Sequence, residues 1–217
     1  MIDVTPQVVF RVFGIPIRDT VISTWLMMAI IIGLAILLGR RQPAALEIII
    51  DVLSDLIGEV MRRPAEPYLP LLASFAIFIA VANSLGIIPI VVPPTRDLNT
   101  TLALAVVVFF SVHYYGIRAH GLWGYLKGIA SPIVTLPLEI IGQLSRTVAL
   151  AVRLFGNILS GELVAAVLFA LAPLIVPLPL VGFSLFTGLL QAYIFTALAA
   201  VYIAAATEAN GTGHTPT

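Results

Sequence analysis

Arg153 sits in Leu150-Ala151-Val152-Arg153-Leu154-Phe155-Gly156-Asn157, a run that is apolar on both sides of the charge. An arginine at the centre of a bilayer costs ~2.5–3.5 kcal/mol on insertion scales, so a permanent cation kept in such a place has a partner or a task. Between positions 133 and 171 the ionisable side chains are Glu139, Arg146, Arg153 and Glu162. On a helix turning about 100° per residue, Glu139, Arg146 and Arg153 recur every seven positions, and Asn157 follows four later. These four share one face, drifting by ~20° per heptad. Glu162 comes nine residues after Arg153, half a turn away. One side of this helix shows a fixed cation and the other a titratable carboxylate.

Further polar side chains interrupt apolar sequence elsewhere. Ser184, Gln191 and Tyr202 line up in the last apolar stretch at spacings of seven and eleven. Two tilted helices side by side would bring Arg153, Asn157, Gln191 and Tyr202 towards one polar seam. Asn83, Ser84 and His113 are additional buried candidates. A plainer role is open to Asn83, Ser84, Ser184 and Tyr202, as interhelical hydrogen-bonding groups worth ~0.6 kcal/mol each. Gln191 fits that role less comfortably, because an amide has four hydrogen bonds to satisfy. A buried Arg153–Glu162 salt bridge is the structural alternative for that pair, and the half-turn offset argues against it.

The elements that must position these residues are membrane helices. The chain has 217 residues, 60% hydrophobic and 10% charged, with a mean hydropathy of +1.09. Soluble domains carry roughly 25% charged residues. Apolar runs at 21–38, 69–88, 100–115 and 181–206 are long enough, or nearly so, for a ~30 Å hydrocarbon core. Net charge is zero without a basic cluster, so nucleic acid is not an expected partner. There is no cysteine, which removes disulfides, thiol catalysis and Cys-ligated metals. His113, His120 and His214 are too scattered for a metal site. Asp3, Arg11, Arg18 and Asp19 interrupt the first twenty residues, so 21–38 is expected to stay as a span, not to be removed as a signal peptide.

Residues 43–63 differ in kind. Glu47, Asp51, Asp55 and Glu59 recur every four positions while Ile49, Ile50, Leu53, Ile57 and Val60 fill the other side. That is an amphipathic helix lying in the interface; its acidic stripe is either a solvated face or a docking surface for a soluble partner or a basic neighbour. The third span is expected to end near Gly116-Ile117-Arg118, with Lys127 in a short loop. Arg40, Arg41, Arg62, Arg63, Arg118 and Lys127 put two loops in the cytoplasm by the positive-inside rule. The proline-rich loop with Pro89, Pro93, Pro94 and Arg96, and the N-terminal segment 1–20, then fall outside. Residues 131–170 are about forty helix-compatible positions, roughly 60 Å at ~1.5 Å each, so this segment must tilt steeply, kink or double back. Pro173, Pro177 and Pro179 precede the last span, and 209–217 reads as a flexible tail. The whole is one integral membrane domain, all-α and polytopic, with four to five spans including a long tilted hairpin over 131–206.

The block Leu144-Ser145-Arg146, Leu150-x-x-Arg153-Leu154-Phe155-Gly156-Asn157 and Gly161-Glu162 resembles subunit a of rotary F-type ATP synthases. So do Gln191-Ala192-Tyr193-Ile194-Phe195 with Tyr202, Asn83 with Leu85-Gly86-x-x-Pro89, Pro94-x-x-Asp97-x-Asn99-x-Thr101-Leu102, and Pro137-Leu138-Glu139. The resemblance covers most of the chain from about Pro43. It implies a stator that holds two offset half-channels against a rotating ring of c subunits, with peripheral-stalk b-type subunits as further partners, in a cell's inner (plasma) membrane. The N-terminus would be outside and the C-terminus cytoplasmic. Arg153 matches the essential arginine; a guanidinium protonated beyond about pH 12 cannot carry the ion, but it can attract the ring's ionised carboxylate and block a leak. Glu162 and Glu139 match positions lining access paths, Asn157 and Gln191 match polar residues beside the arginine, and Arg146 and Tyr202 complete the expected ion-translocation set. No cofactor or metal is implied, and no bond chemistry in this chain itself. Two departures stand out: Thr147 where many relatives carry proline, and Ser184 where some carry histidine.

Other functions fit less well. A secondary transporter, with Arg153 holding a substrate carboxylate, predicts inverted repeats, which the sequence does not show. An intramembrane enzyme would need a motif such as H-E-x-x-H or G-x-S-x-G, and neither occurs. A pure anchor leaves four charges in one membrane segment unexplained.

Overall fold

The computed structural model describes residues 8–12, 15–86, 92–129, 136–171 and 177–208. Apart from a short antiparallel hairpin, β1 (Val8–Val12) on β2 (Ile15–Arg18), the described chain is helical. The hairpin occupies the N-terminal segment, for which the sequence pattern predicted no element, and runs directly into α1 (Asp19–Arg41). Then follow α2 (Pro43–Met61), α3 (Leu69–Leu85), a 3-10 turn (Pro94–Arg96), α4 (Leu98–Ile129), α5 (Leu136–Leu171) and α6 (Pro177–Glu208). Stretches of α1, α4, α5 and α6 are long and apolar enough to cross a membrane. The 17 residues of α3 reach about 26 Å at ~1.5 Å per residue, near the short limit for a span. The chain is the all-α polytopic membrane protein its composition implies.

Its core lies between α3 and α6. Phe75 meets Phe195 edge-to-face at 5.8 Å, with Leu72, Ile79 and Ile203 fully buried around them. Small residues on α6 (Ala192, Ala199, Ala200, Ala204) let the two backbones approach closely. Gly188 is the tightest point, because a Cβ there would come within 2.8 Å of the Asn83 Cβ. By contrast α1 buries only Thr20, Ser23 and Met27, and shows Trp25, Ile32, Leu34 and Ile36 outward. In water that surface would be an aggregation hazard; against lipid or an apolar partner it is at home. On α2 the last turn is buried through Ile57 and Met61, while Glu47, Asp51, Asp55 and Glu59 are all exposed.

α5 is a continuous helix of 36 residues. At ~1.5 Å per residue it measures about 54 Å, so a ~30 Å hydrocarbon layer holds it only at a steep inclination. It turns Leu150, Ala151 and Leu154 into the bundle and leaves Leu138, Ile141, Val148, Val152, Leu163 and Val167 bare.

Two boundaries differ from expectation. α4 does not end near Gly116; it runs on and breaks at Gly121, whose φ of 71° suits glycine. Beyond the break the chain folds back so that the Tyr125 ring takes the space a Cβ on Gly116 would need. Gly116 therefore accommodates a ring instead of stopping a helix. α6 begins at Pro177, not near 181, because the first turn of a helix tolerates proline. The expectations placed on Pro89, on 131–135, on Pro173 and on the tail 209–217 lie outside the described residues.

Candidate functional site

One turn ties most of the bundle together. Pro93 and Pro94 restrict the backbone ahead of Thr95, Arg96 and Asp97, and each of these three reaches a different helix. The buried Thr95 hydroxyl donates to Asn83 Oδ1 at 2.8 Å, and Asn83 Nδ2 donates to the Gly188 carbonyl at 3.0 Å, joining α3 to α6. Arg96 Nε lies 3.1 Å from Glu162 Oε2, reaching α5. Asp97 Oδ2 accepts from Arg18 at 3.1 Å and from the Thr20 hydroxyl at 3.3 Å, holding the start of α1. Its Oδ1 accepts the Asn99 backbone N–H at 3.0 Å, capping α4.

A second cluster lies at the opposite end of α5. Here α4, α5 and α6 border a partly open cavity of about 250 Å³ lined by Tyr125, Glu139, Gln143, Arg146, Thr147 and Tyr202. Gln143 Nε2 donates to Glu139 Oε1 at 3.3 Å. The Arg146 guanidinium stands 5.8 Å from the centre of the Tyr202 ring, within cation–π range. His113 rests its ring 4.4 Å from Phe109 and 5.9 Å from Tyr125, with Nδ1 2.8 Å from the Phe109 carbonyl.

Arg153 stands between the two. Fourteen residues, about 21 Å at ~1.5 Å each, separate it from Glu139, and nine residues, about 14 Å, from Glu162. Its side chain is exposed and, among the described residues, makes no ion pair or hydrogen bond. Gly142 and Gly156, on the same flank, have nothing within 4 Å of where a Cβ would be.

The seven site residues predicted from sequence therefore divide. Glu139, Arg146 and Tyr202 come together at the cavity. Glu162 faces away from them and pairs with Arg96. Asn157 is half-buried, and Gln191 is buried with no hydrogen-bond partner for its Nε2 among the described residues. The single seam expected for Arg153, Asn157, Gln191 and Tyr202 is not joined by hydrogen bonds; Tyr202 lies with Arg146 instead, because α6 meets the first half of α5 there. Ser84 donates back to the Ala80 carbonyl of its own helix, and Ser184 is exposed. Sequence reasoning passed over Thr95, Arg96, Tyr125 and Gln143 as site residues. A signal for Arg96 was present: a charge at the mouth of an apolar helix raises the same question of a partner that Arg153 raised.

Comparison with known proteins places this geometry. Residues 21–204 match the family described as ATP synthase A chain. The chain is similar to ATP synthase subunit a 2 of Bradyrhizobium sp. (strain BTAi1), with 46% identity over 93% of this chain and 94% of the relative. It is 44% identical to ATP synthase subunit a 1 of Hahella chejuensis over 94% of this chain and 91% of that one. A similar match, 45% over 87% and 88%, is to ATP synthase subunit a 1 of Chlorobaculum parvum. An exposed arginine on a long membrane helix, flanked by two polar clusters, is thus seen in a chain that belongs to the ATP synthase subunit a family, the membrane-embedded ion-channel stators of F-type ATP synthases.

Proposed function

We propose that the two polar clusters are the two half-channels of this stator and that Arg153 is the electrostatic gate between them. The observation that carries this reading is the position of Arg153: without an ion pair among the described residues, on the open flank of α5, with one cluster towards each end of the helix. An arginine so placed answers its charge only when an anion arrives from outside the chain. The bare stripe of α5, with Gly156 beside the arginine and Gly142 about three turns before it, suits the close approach of another helix. A ring of c subunits bearing membrane carboxylates supplies both the helix and the anion.

In this reading an ion reaches a ring carboxylate through one cluster, travels with the ring, and leaves through the other. As a carboxylate swings back ionised it meets Arg153. The guanidinium, charged throughout the working pH range, favours the ionised form and closes the direct route between the clusters. Glu162 lines one path and Glu139 the other, with Arg146 and Tyr202 shaping the second and Asn157 and Gln191 flanking the gate. Arg40, Arg41, Arg62, Arg63, Arg118 and Lys127 occur at the Tyr202 end of the helices, which supports placing that end and the C-terminus in the cytoplasm of a plasma membrane. The Asp97 turn and the N-terminus are then outside. The exposed apolar side of α1 and the acidic stripe of α2 support a neighbour such as a peripheral-stalk b-type subunit. A carrier of anionic substrates is not favoured, since Arg153 is exposed and is not among the residues lining the cavity at the Tyr202 end.

Arg153→Ala and Arg153→Lys, compared with wild type in membrane vesicles for ion-driven ATP synthesis and ATP-driven pumping, test the gate. In complexes shown to assemble, the alanine variant loses coupled transport. Transport near wild type in that variant refutes the assignment.

A further inference from the structure

The Arg96–Glu162 pair lies outside the residues just assigned to the gate, and it bears on how an ion gets in. We propose that Arg96 is a positioning residue of the outer access path, cancelling the charge of Glu162 so that cations pass along the path without being held there. The inference rests on the half-channel reading above. Its geometric support is a direct contact of 3.1 Å, with the Arg96 side chain 15% exposed and that of Glu162 31%. Asp97, the next charge on the same turn, is already taken by Arg18 and Thr20. Arg96 is the ion-pair partner Glu162 has among the described residues, and its backbone is held in place: Thr95 and Asp97, its chain neighbours, are buried and bonded to other helices.

The physical consequence follows from charge. A half-buried carboxylate without a partner is a cation site. Such a site fills at low outer ion concentration and releases slowly, which suits storage better than flow. A guanidinium within hydrogen-bonding distance competes with the arriving cation for the same oxygen. An opposite charge at ~4–6 Å changes ion affinity at a carboxylate by about ten- to a thousandfold. With Glu162 about a third exposed, solvent screening brings the effect towards the low end. Arg96 also fixes where the carboxylate points, by bridging the turn to α5.

The test uses whole ATP synthase in liposomes, with the face equivalent to the cell exterior in the lumen. ATP synthesis is driven by a fixed potassium diffusion potential while luminal protons, and separately luminal sodium ions, are titrated. In Arg96→Gln the half-saturating luminal concentration of the transported cation falls about threefold or more and the maximal rate drops, as an uncompensated carboxylate binds more tightly. Arg96→Lys restores the wild-type half-saturation. Arg96→Gln combined with Glu162→Gln loses the tightening, because the anion is gone. Half-saturation within about 1.5-fold of wild type in assembled Arg96→Gln, whatever happens to the maximal rate, means that Arg96 is only a strut and overturns the proposal. Where Arg96→Gln does not assemble, Glu162→Asp, which draws the carboxylate back by one methylene, is read in its place; a smaller shift in the same direction supports the proposal and none overturns it. Arg153→Ala in the same liposomes separates the two readings. Retained transport there removes the half-channel assignment itself, whereas lost transport with unmoved Arg96 variants removes this inference alone.

Discussion

The two ends of α5 handle charge in opposite ways. At the turn, Glu162 meets Arg96 in a direct ion pair and every polar neighbour described has a fixed partner: Thr95 with Asn83, Asn83 with Gly188, Asp97 with Arg18, Thr20 and Asn99. At the other end Glu139 and Arg146 line a cavity of about 250 Å³ and touch neutral groups, an amide and a phenol ring. The first arrangement sets geometry by pairing, and moving any member exposes an unmet charge or dipole. The second leaves room for water and for side chains to turn. In one helix the chain has a rigid end and a yielding end, with the exposed Arg153 between them.

The comparison breaks most visibly if charge is reversed at each end in turn. Glu162→Lys sets two cations face to face where one anion had paired, and an uncompensated partly buried charge costs about 3–5 kcal/mol. Coupled transport falls by more than about a hundredfold, with loss of assembled complex contributing. Glu139→Lys puts its charge beside a cavity that can hydrate it, where pair energies are nearer 0–1 kcal/mol, and transport falls by about tenfold or less. Driven ATP synthesis normalised to assembled complex measures both. Equal losses would show that the ends do not differ in stiffness.

A smaller difference separates two threonines. Thr95→Val removes the donor to Asn83 Oδ1 and leaves a buried amide oxygen unmet, at ~1–3 kcal/mol. Thr147→Val deletes only a hydroxyl bonded to the Gln143 carbonyl of its own helix, 2.9 Å away, with a cost under ~0.5 kcal/mol. Thermal unfolding of the detergent-solubilised complex, following dissociation of this subunit, ranks the two. A Thr147→Val variant as labile as Thr95→Val would mean that the cavity end is as tightly determined as the turn.

How much of this was legible in the sequence varies with the range of the interaction. The spans were legible, because apolar length alone decides them, and so was the special status of Arg153, since the cost of its charge does not depend on the fold. The periodicity of α5 put Glu139, Arg146, Arg153 and Asn157 on one face and Glu162 on another; in the structure Glu139 and Arg146 line the cavity, Arg153 is exposed on the open flank and Glu162 pairs with Arg96. The periodicity could not show which neighbour meets each face. Arg96 and Glu162 are far apart in the chain, and their pairing exists only because the Pro93-Pro94 turn is drawn against α5. The end of α4 was misjudged for a related reason: Gly116 and Gly121 are both glycines in a helical pattern, and only the folded-back Tyr125 tells which one breaks it. Ser184, Gln191 and Tyr202 share a spacing, yet α6 is packed on several sides, so one is exposed, one buried and one set against Arg146.

The finest test concerns what makes the yielding end polar. Arg146 is exposed and stands 5.8 Å from the Tyr202 ring centre, a geometry worth ~0.5–1 kcal/mol where solvent reaches. Tyr202→Leu removes the ring and lets the guanidinium swing, so pumping falls by about two- to fivefold, the factor that energy allows. Tyr202→Phe keeps the ring and loses only the hydroxyl, for which no hydrogen bond is seen among the described residues, and pumping stays within about 1.5-fold of wild type, since the cation–π contact survives. The order of the two variants carries the argument. If Tyr202→Phe falls as far as Tyr202→Leu, the hydroxyl and not the ring serves the path, and it does so through a bond that forms only when an ion or water is present. The cavity end would then be as exacting as the turn, but only while it is working.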